Sequence, residues 1–316
     1  MTSAVRRREP QPEQFGTSVA RYLCATRPAF LSVTLVACLL GLSTAHHGGV
    51  TLDLTTAVVT VLGALVAHAG ANVINDFHDA RSGADRANTR RLFPFTGGSR
   101  FIQNGVLSER AIGRYGYALL ALVIPAGLWL AWHSGPGLVA IGAAGLFVGW
   151  AYSAPPLALM SRGVGELAIT TGWLLVVVGS DYVQRGAFSP LPLLAGLPYA
   201  LLIASLLFIN QFPDHDGDAA AGKRTLVVRL GPQTAKWGYL LIAIIAYGWL
   251  VAMVATERLP QKAAAAAMTL VLSFSAAREL LHHASQPAEL EPAIKRTIVA
   301  ANVHGLVLAA TLAWSR

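Results

Sequence analysis

The chain reads as an all-α, polytopic membrane bundle of about nine transmembrane helices, and three observations predict it. About 54% of its 316 residues are hydrophobic and 13% are charged, which lies outside the range of an ordinary soluble domain. The charges are gathered into short segments separated by apolar runs long enough to cross a bilayer. Lysine and arginine are also unevenly placed. With nine spans, all but Arg185, Arg258, Lys262 and Arg316 of the 24 fall in the N-terminal segment or in the loops after spans two, four, six and eight. The positive-inside rule makes that side, and the N-terminus with it, cytoplasmic.

Taken in order, the spans are expected at roughly 28–46, 54–75, 115–133, 137–153, 164–183, 190–210, 236–255, 260–281 and 295–314. Residues 1–27 carry Arg6, Arg7 and Arg8 but no apolar run before about Pro28, and read as a cytoplasmic tail rather than a cleavable signal. Residues 28–316 then form one transmembrane domain. The fourth span is short, and its glycines predict close helix packing. Cys24 and Cys38 form no framework, so neither a disulfide nor a structural zinc is expected. The net charge of +8 is spread over many short loops, a pattern of topology rather than of nucleic-acid binding.

The second span runs straight into Asn72-Val-Ile-Asn-Asp-Phe-His-Asp-Ala-Arg-Ser-Gly-Ala-Asp85. If the helix continues, Asn72, Asp76 and Asp79 stand at i, i+4 and i+7 and share one face. The sixth span ends in the same way, with Asn210, Asp214 and Asp218 at i, i+4 and i+8. Asp216 points off that face, and Pro213 is expected to kink or restart the helix. One such cluster would be compatible with a solvated or salt-bridged helix end. Two matching clusters on one side call for cations, because carboxylates sharing a pocket repel one another. Oxygen-bearing side chains suit a hard divalent ion such as Mg²⁺, which shares its shell with phosphate groups. Lys223, Arg224 and Arg162 are placed to meet phosphate oxygens.

The long loop from Asp76 to Arg114 interleaves arginines with Leu92-Phe93-Pro94-Phe95 and Gly97-Gly98-Ser99, and reads as a cap over the site. Gly217 to Arg224 imitates a phosphate-binding P-loop but has Arg224 where Ser or Thr is required and no preceding strand. The His46-His47 and His282-His283 pairs are adjacent in sequence and chelate poorly from a helix. His68 and His304 lie inside spans, where polar groups pack inward or face a cavity. Tyr152, Ser153 and Glu166 flank the fourth cytoplasmic loop beside Arg162, as supporting groups or helix caps.

Together these motifs resemble the UbiA-type intramembrane aromatic prenyltransferases. The resemblance covers about Arg27 to Trp314, with nine spans as in that family. One signature is similar to Asn72-x-x-Asn75-Asp76-x-x-Asp79 with Gly83-x-Asp85. The other is similar to Asn210 to Asp218 followed by Gly222-Lys223-Arg224-Thr225-Leu226 and Val228-Arg229-Leu230-Gly231. Gly97-Gly98-Ser99-Arg100, Gly105 to Ser108, Tyr152-Ser153-x-Pro155-Pro156-Leu157, Arg162 to Glu166 and Tyr182-Val183-Gln184 resemble the menaquinone branch, 1,4-dihydroxy-2-naphthoate polyprenyltransferase. Gly83, Pro213 and Ala158 depart from patterns common in the family.

The resemblance implies a central apolar chamber with a lipid-side opening, in a bacterial inner membrane, with the site facing the cytoplasm. It implies that Asp76, Asp79, Asp214 and Asp218, with Asn72 and Asn210, hold Mg²⁺ ions that bind the diphosphate of an allylic prenyl donor. Lys223 would assist the departing diphosphate, and Asn75, Arg100, Tyr152, Arg162 and Arg224 would contact substrates. The implied partners are a prenyl diphosphate, an aromatic acceptor and membrane lipid, without nucleic acid. The implied acceptor is 1,4-dihydroxy-2-naphthoate; homogentisate, a hydroxybenzoate or a specialised-metabolite ring are alternatives. A cation-coupled transporter is the reading from another class, although transporters place such charges near the midplane.

Overall fold

Where the sequence supplies a cap, a helix starts. The side chain of Asp53 accepts the Thr56 N–H at 2.7 Å and opens the second membrane helix. That helix runs to Ser82 and stops at Gly83, whose φ of 83° is one a glycine adopts without strain. Ser108 and Thr225 cap two later helices in the same manner. A computed structural model describes residues 9–315.

The helices in order are α1 (Ser18–Ala25), α2 (Ser32–His47), α3 (Leu54–Ser82), α4 (Ala84–Ala87), α5 (Glu109–Ser134) and α6 (Gly137–Ser153). After them come α7 (Gly165–Arg185), α8 (Leu191–Ala220), α9 (Leu226–Leu230), α10 (Pro232–Ala255), α11 (Leu270–His283) and α12 (Glu291–Ala313). A 3₁₀ turn leads into α2, and a longer one, Gln261–Thr269, leads into α11. Among the described residues there is no strand. Among the described residues, eight helical segments are long and apolar enough to span a membrane, and α6 is the shorter ninth. The expected span order therefore holds throughout, and the protein is an integral membrane protein.

Of the two outcomes expected at Pro213, a restart does not occur: α8 continues through it to Ala220. α1 lies within the first 27 residues. The described part of that segment packs on the loop between α4 and α5. Glu9 pairs with Arg91 and reaches Arg100 at 3.5 Å, and Phe15 meets Phe101 with ring centroids 5.4 Å apart.

α8 is the central strut. Its apolar window is 72% buried inside the protein, against 17% for α5, which lies at the periphery against α3. The buried Tyr199 of α8 donates its hydroxyl to the Val33 carbonyl at 2.6 Å, tying α8 to α2. Gly305 of α12 sits where a Cβ would collide with Val36 and Tyr199, so three helices close around one point. Trp132 and Trp314 are the most exposed of the large apolar side chains, at the ends of α5 and α12. Aromatic rings at helix ends suit the membrane interface.

Candidate active site

Because α3 and α8 both continue past their apolar stretches, each carries its polar cluster on a rigid helix end. The two ends meet at one mouth of a cavity of about 440 Å³, whose deeper walls are apolar. Asn72, Asn75, Asp79, Asp85, Asn88, Tyr152, Asn210, Asp214, Asp218 and Lys223 all line it. Lys223 lies between the helices, with its ammonium 3.1 Å from Asp79 Oδ1 and 3.2 Å from Asp218 Oδ1. Burial alone would lower the affinity of this amine for its proton. The Asp79 and Asp218 carboxylates outweigh that and hold its pKa above the ordinary lysine value.

Asp76 stands just behind this mouth. It is 3% exposed; its Oδ1 accepts the Ser99 N–H at 3.2 Å, and its Oδ2 has no partner among the described residues. The Oδ1 of Asn210 is likewise buried without a partner. Asn75 donates to Asp79 at 3.2 Å and to Ser153 at 3.1 Å. Asn72 donates to the Thr26 carbonyl at 3.1 Å. Asp216 faces outward as expected, paired with Arg90 at 3.0 Å.

The loop after α4 closes the mouth, as the sequence predicts. Asn88, Phe95, Thr96, Gly97 and Gly98 line the cavity from above, and Asn88 donates to Asp214. Gly98 has φ 72°, and a Cβ there would lie 2.6 Å from Asp85 Oδ2. Only glycine lets the backbone settle on the carboxylates at that point. Asp85 is buried under the same loop and accepts from Gln103 at 3.0 Å. Its burial, followed by the Asp79 and Asp76 charges, pushes its pKa up to about 8.

Several of the expected substrate contacts lie away from the cavity. Arg162 and Arg224 are exposed and do not line the cavity; Arg162 donates to the Pro156 carbonyl at 2.6 Å. Arg100 is buried but also outside the cavity. Its left-handed backbone (φ 67°) turns it toward Glu9 and the Asp85 carbonyl, so it braces the cap. His68 lines the cavity and bonds Thr34 at 2.7 Å, whereas His304 is packed away from it, beside Ala266.

The sequence reading missed Arg27, Asn88 and Gln211, which all line the cavity. Arg27 sits over the Phe30 ring at 4.5 Å. Asn88 follows Asp85 by three residues, a helical spacing that could have placed it beside the cluster.

The side chains at the mouth are carboxylates and amides, the donor chemistry of a hard divalent cation, and the orphaned oxygens of Asp76 and Asn210 add to that fit. Among the described residues no three His, Cys, Asp or Glu side chains form a ready-made cluster, and a Mg²⁺ ion needs only one or two carboxylates beside phosphate oxygens and water. Carboxylates from two helices and an ammonium between them can receive a polyanion with its counter-ions. The apolar cavity below can receive a hydrocarbon.

The chain is similar to known proteins in sequence and in fold. The 1,4-dihydroxy-2-naphthoate octaprenyltransferase of Bacillus subtilis is 26% identical over 253 residues, covering 78% of this chain and 76% of its own. The Mycobacterium tuberculosis protein of the same name is 28% identical over 308 residues, 95% of this chain and 99% of its own. A solved UbiA homolog from Archaeoglobus fulgidus, bound to DMAPP and Mg²⁺, has the same fold. Its TM-score is 0.58 at 18% identity, over 91% of this chain and 99% of that one. A model of the UbiA prenyltransferase family matches residues 34–294, from α2 to the start of α12, a range that contains both acidic helix ends. A prenyltransferase of the membrane is therefore the enzyme these helices build, and the chain belongs to the UbiA prenyltransferase family.

Proposed function

We propose that this enzyme transfers a polyprenyl group from a prenyl diphosphate to 1,4-dihydroxy-2-naphthoate in a Mg²⁺-dependent reaction of menaquinone biosynthesis. The observation that carries the reading is the convergence of the α3 and α8 carboxylates on Lys223 at the polar mouth of an apolar cavity. The solved homolog that binds DMAPP with Mg²⁺ supports the donor and the metal, and the names of the two relatives support the acceptor.

Asp76, Asp79, Asp214 and Asp218, with Asn72 and Asn210, would hold the metal. Bound Mg²⁺ supplies charge neutralisation for the diphosphate, before and after it leaves. Lys223 faces the leaving group and donates to its oxygens. The allylic C–O bond breaks with its electron pair going to diphosphate, and a ring carbon supplies the pair for the new C–C bond. Aromaticity returns when that carbon sheds its proton or carboxyl group. The apolar walls keep water from the allylic cation in the interval, and Tyr152 and Gln211 line the same cavity.

The acceptor is tested with purified enzyme, one prenyl diphosphate and each ring in parallel, with products identified by mass. Naphthoate is expected to give the dominant product. If a homogentisate or hydroxybenzoate product appears instead, the acceptor assignment is overturned and the family chemistry stands.

We further place the mouth on the cytoplasmic side of a bacterial inner membrane, on the distribution of basic residues. Single cysteines at Ser285 and Ala187, in a background lacking Cys24 and Cys38, report on opposite ends of the bundle. An impermeant thiol reagent applied from outside is expected to label Ala187→Cys and spare Ser285→Cys. The reverse pattern rejects the orientation.

A further inference from the structure

A second groove lies outside the cavity, between the polar end of α3 and the first two turns of α5. It is lined by Phe77, Arg81, Glu109, Arg110, Arg114 and Tyr117, with Gly113 at its floor. Gly113 lets α5 pack closely on α3 at this point, because a Cβ there would stand 2.9 Å from the Phe77 ring. Arg81 is committed within the protein: its guanidinium lies 5.4 Å from the Phe77 ring centroid and 3.6 Å from the Glu109 carboxylate. Glu109 is therefore the one acidic side chain of the groove, and it already has a cation.

Arg110 and Arg114 differ from Arg81. Both are exposed, and neither side chain makes a hydrogen bond or ion pair with the other described residues. They stand at i and i+4 on α5, and the same stripe continues through Tyr117, Ala121, Ile124 and Leu128, all exposed. Read along the helix, this stripe passes from two guanidinium groups, through one phenol, to plain hydrocarbon. Tyr117 joins α3 to α5 through a 3.3 Å contact with His78, which fixes the middle of the stripe. A cation pair above an aromatic shelf and an apolar track matches one amphiphile, with an anionic head and a long acyl chain.

We propose that this groove binds an anionic phospholipid, its phosphate on Arg110 and Arg114 and an acyl chain along the Tyr117, Ile124 and Leu128 face of α5. The groove is separate from the prenyl cavity, so this inference stands whichever aromatic ring the enzyme uses.

The test uses the full chain in nanodiscs of phosphatidylcholine containing one fifth phosphatidylglycerol, with retained lipid counted by native mass spectrometry. The wild-type protein is expected to keep phosphatidylglycerol in preference to phosphatidylcholine. Arg110→Gln/Arg114→Gln should reduce that preference on the order of tenfold. Arg110→Lys/Arg114→Lys should keep most of it, since the charge remains. Arg86→Gln/Arg278→Gln removes two exposed arginines outside the groove and should leave the preference intact. Unchanged phosphatidylglycerol retention in Arg110→Gln/Arg114→Gln overturns the proposal. So does an equal loss in the Arg86/Arg278 control, which would reduce the effect to bulk charge. Release of the lipid by millimolar inorganic phosphate would identify a free-anion site and overturn the lipid assignment.

Discussion

Asp76→Asn and Asp214→Asn each lower turnover by roughly 10²–10³-fold or more, the loss typical of removing one charge-stabilising group from a preorganised site. The two residues come from different helices, yet the same result is expected of both, because their carboxylates serve one mouth. Asparagine keeps the shape and a carbonyl oxygen while removing the charge, so the folded protein persists. Asp76 is the sharper case: its Oδ2 is buried with no partner, a cost the fold bears without structural return. Replacing it should leave thermal stability unchanged or raise it. Asp216→Asn is the internal control, since Asp216 faces solvent and pairs with Arg90; a change of less than about twofold is expected there. Initial rates with saturating donor and acceptor, across a Mg²⁺ titration, decide the matter. Near-normal turnover of Asp76→Asn or Asp214→Asn at limiting Mg²⁺ would show that the carboxylates do not serve the metal.

Lys223→Met is expected to reduce turnover by about 10²-fold and also to destabilise the protein by about 3 kcal/mol, as when one partner leaves a buried ion pair. Both effects come from one atom. Nζ holds Asp79 and Asp218 together, and in the proposed reaction the same ammonium would face the departing diphosphate. The distinguishing readout is the effect of Mg²⁺ on the melting temperature. A divalent ion can replace the lost positive charge, so Mg²⁺ should stabilise Lys223→Met more than the wild-type protein. Equal stabilisation of both would mean that the lysine and the metal do not share these carboxylates.

Much of the fold was legible because apolar runs of spanning length have no other use. The helix ends were less so: the apolar spans stop near residues 75 and 210, where hydropathy falls, and hydropathy leaves open whether the helices go on; they reach Ser82 and Ala220. Polar residues continue a helix as readily as apolar ones until a breaker arrives, here Gly83 and Gly222. The acidic residues could be paired by arithmetic, since i, i+4 spacing fixes a face. The arginines could not, because a basic residue in a loop has no period to say where it points. Arg100 turned inward to brace the cap, while Arg162 and Arg224 turned outward. Glu9 was invisible as a partner of Arg91 and Arg100, since nothing in the first residues signals a contact so far along the chain.

The position of Lys223 also bears on how the protein is made. Asp79 precedes its lysine by 144 residues. At ordinary synthesis rates the carboxylates of α3 wait roughly 7–30 s before that cation leaves the ribosome. During that interval Asp79 lacks its lysine, and the ion pair that joins the end of α3 to the residues after α8 forms only once the sixth span is complete.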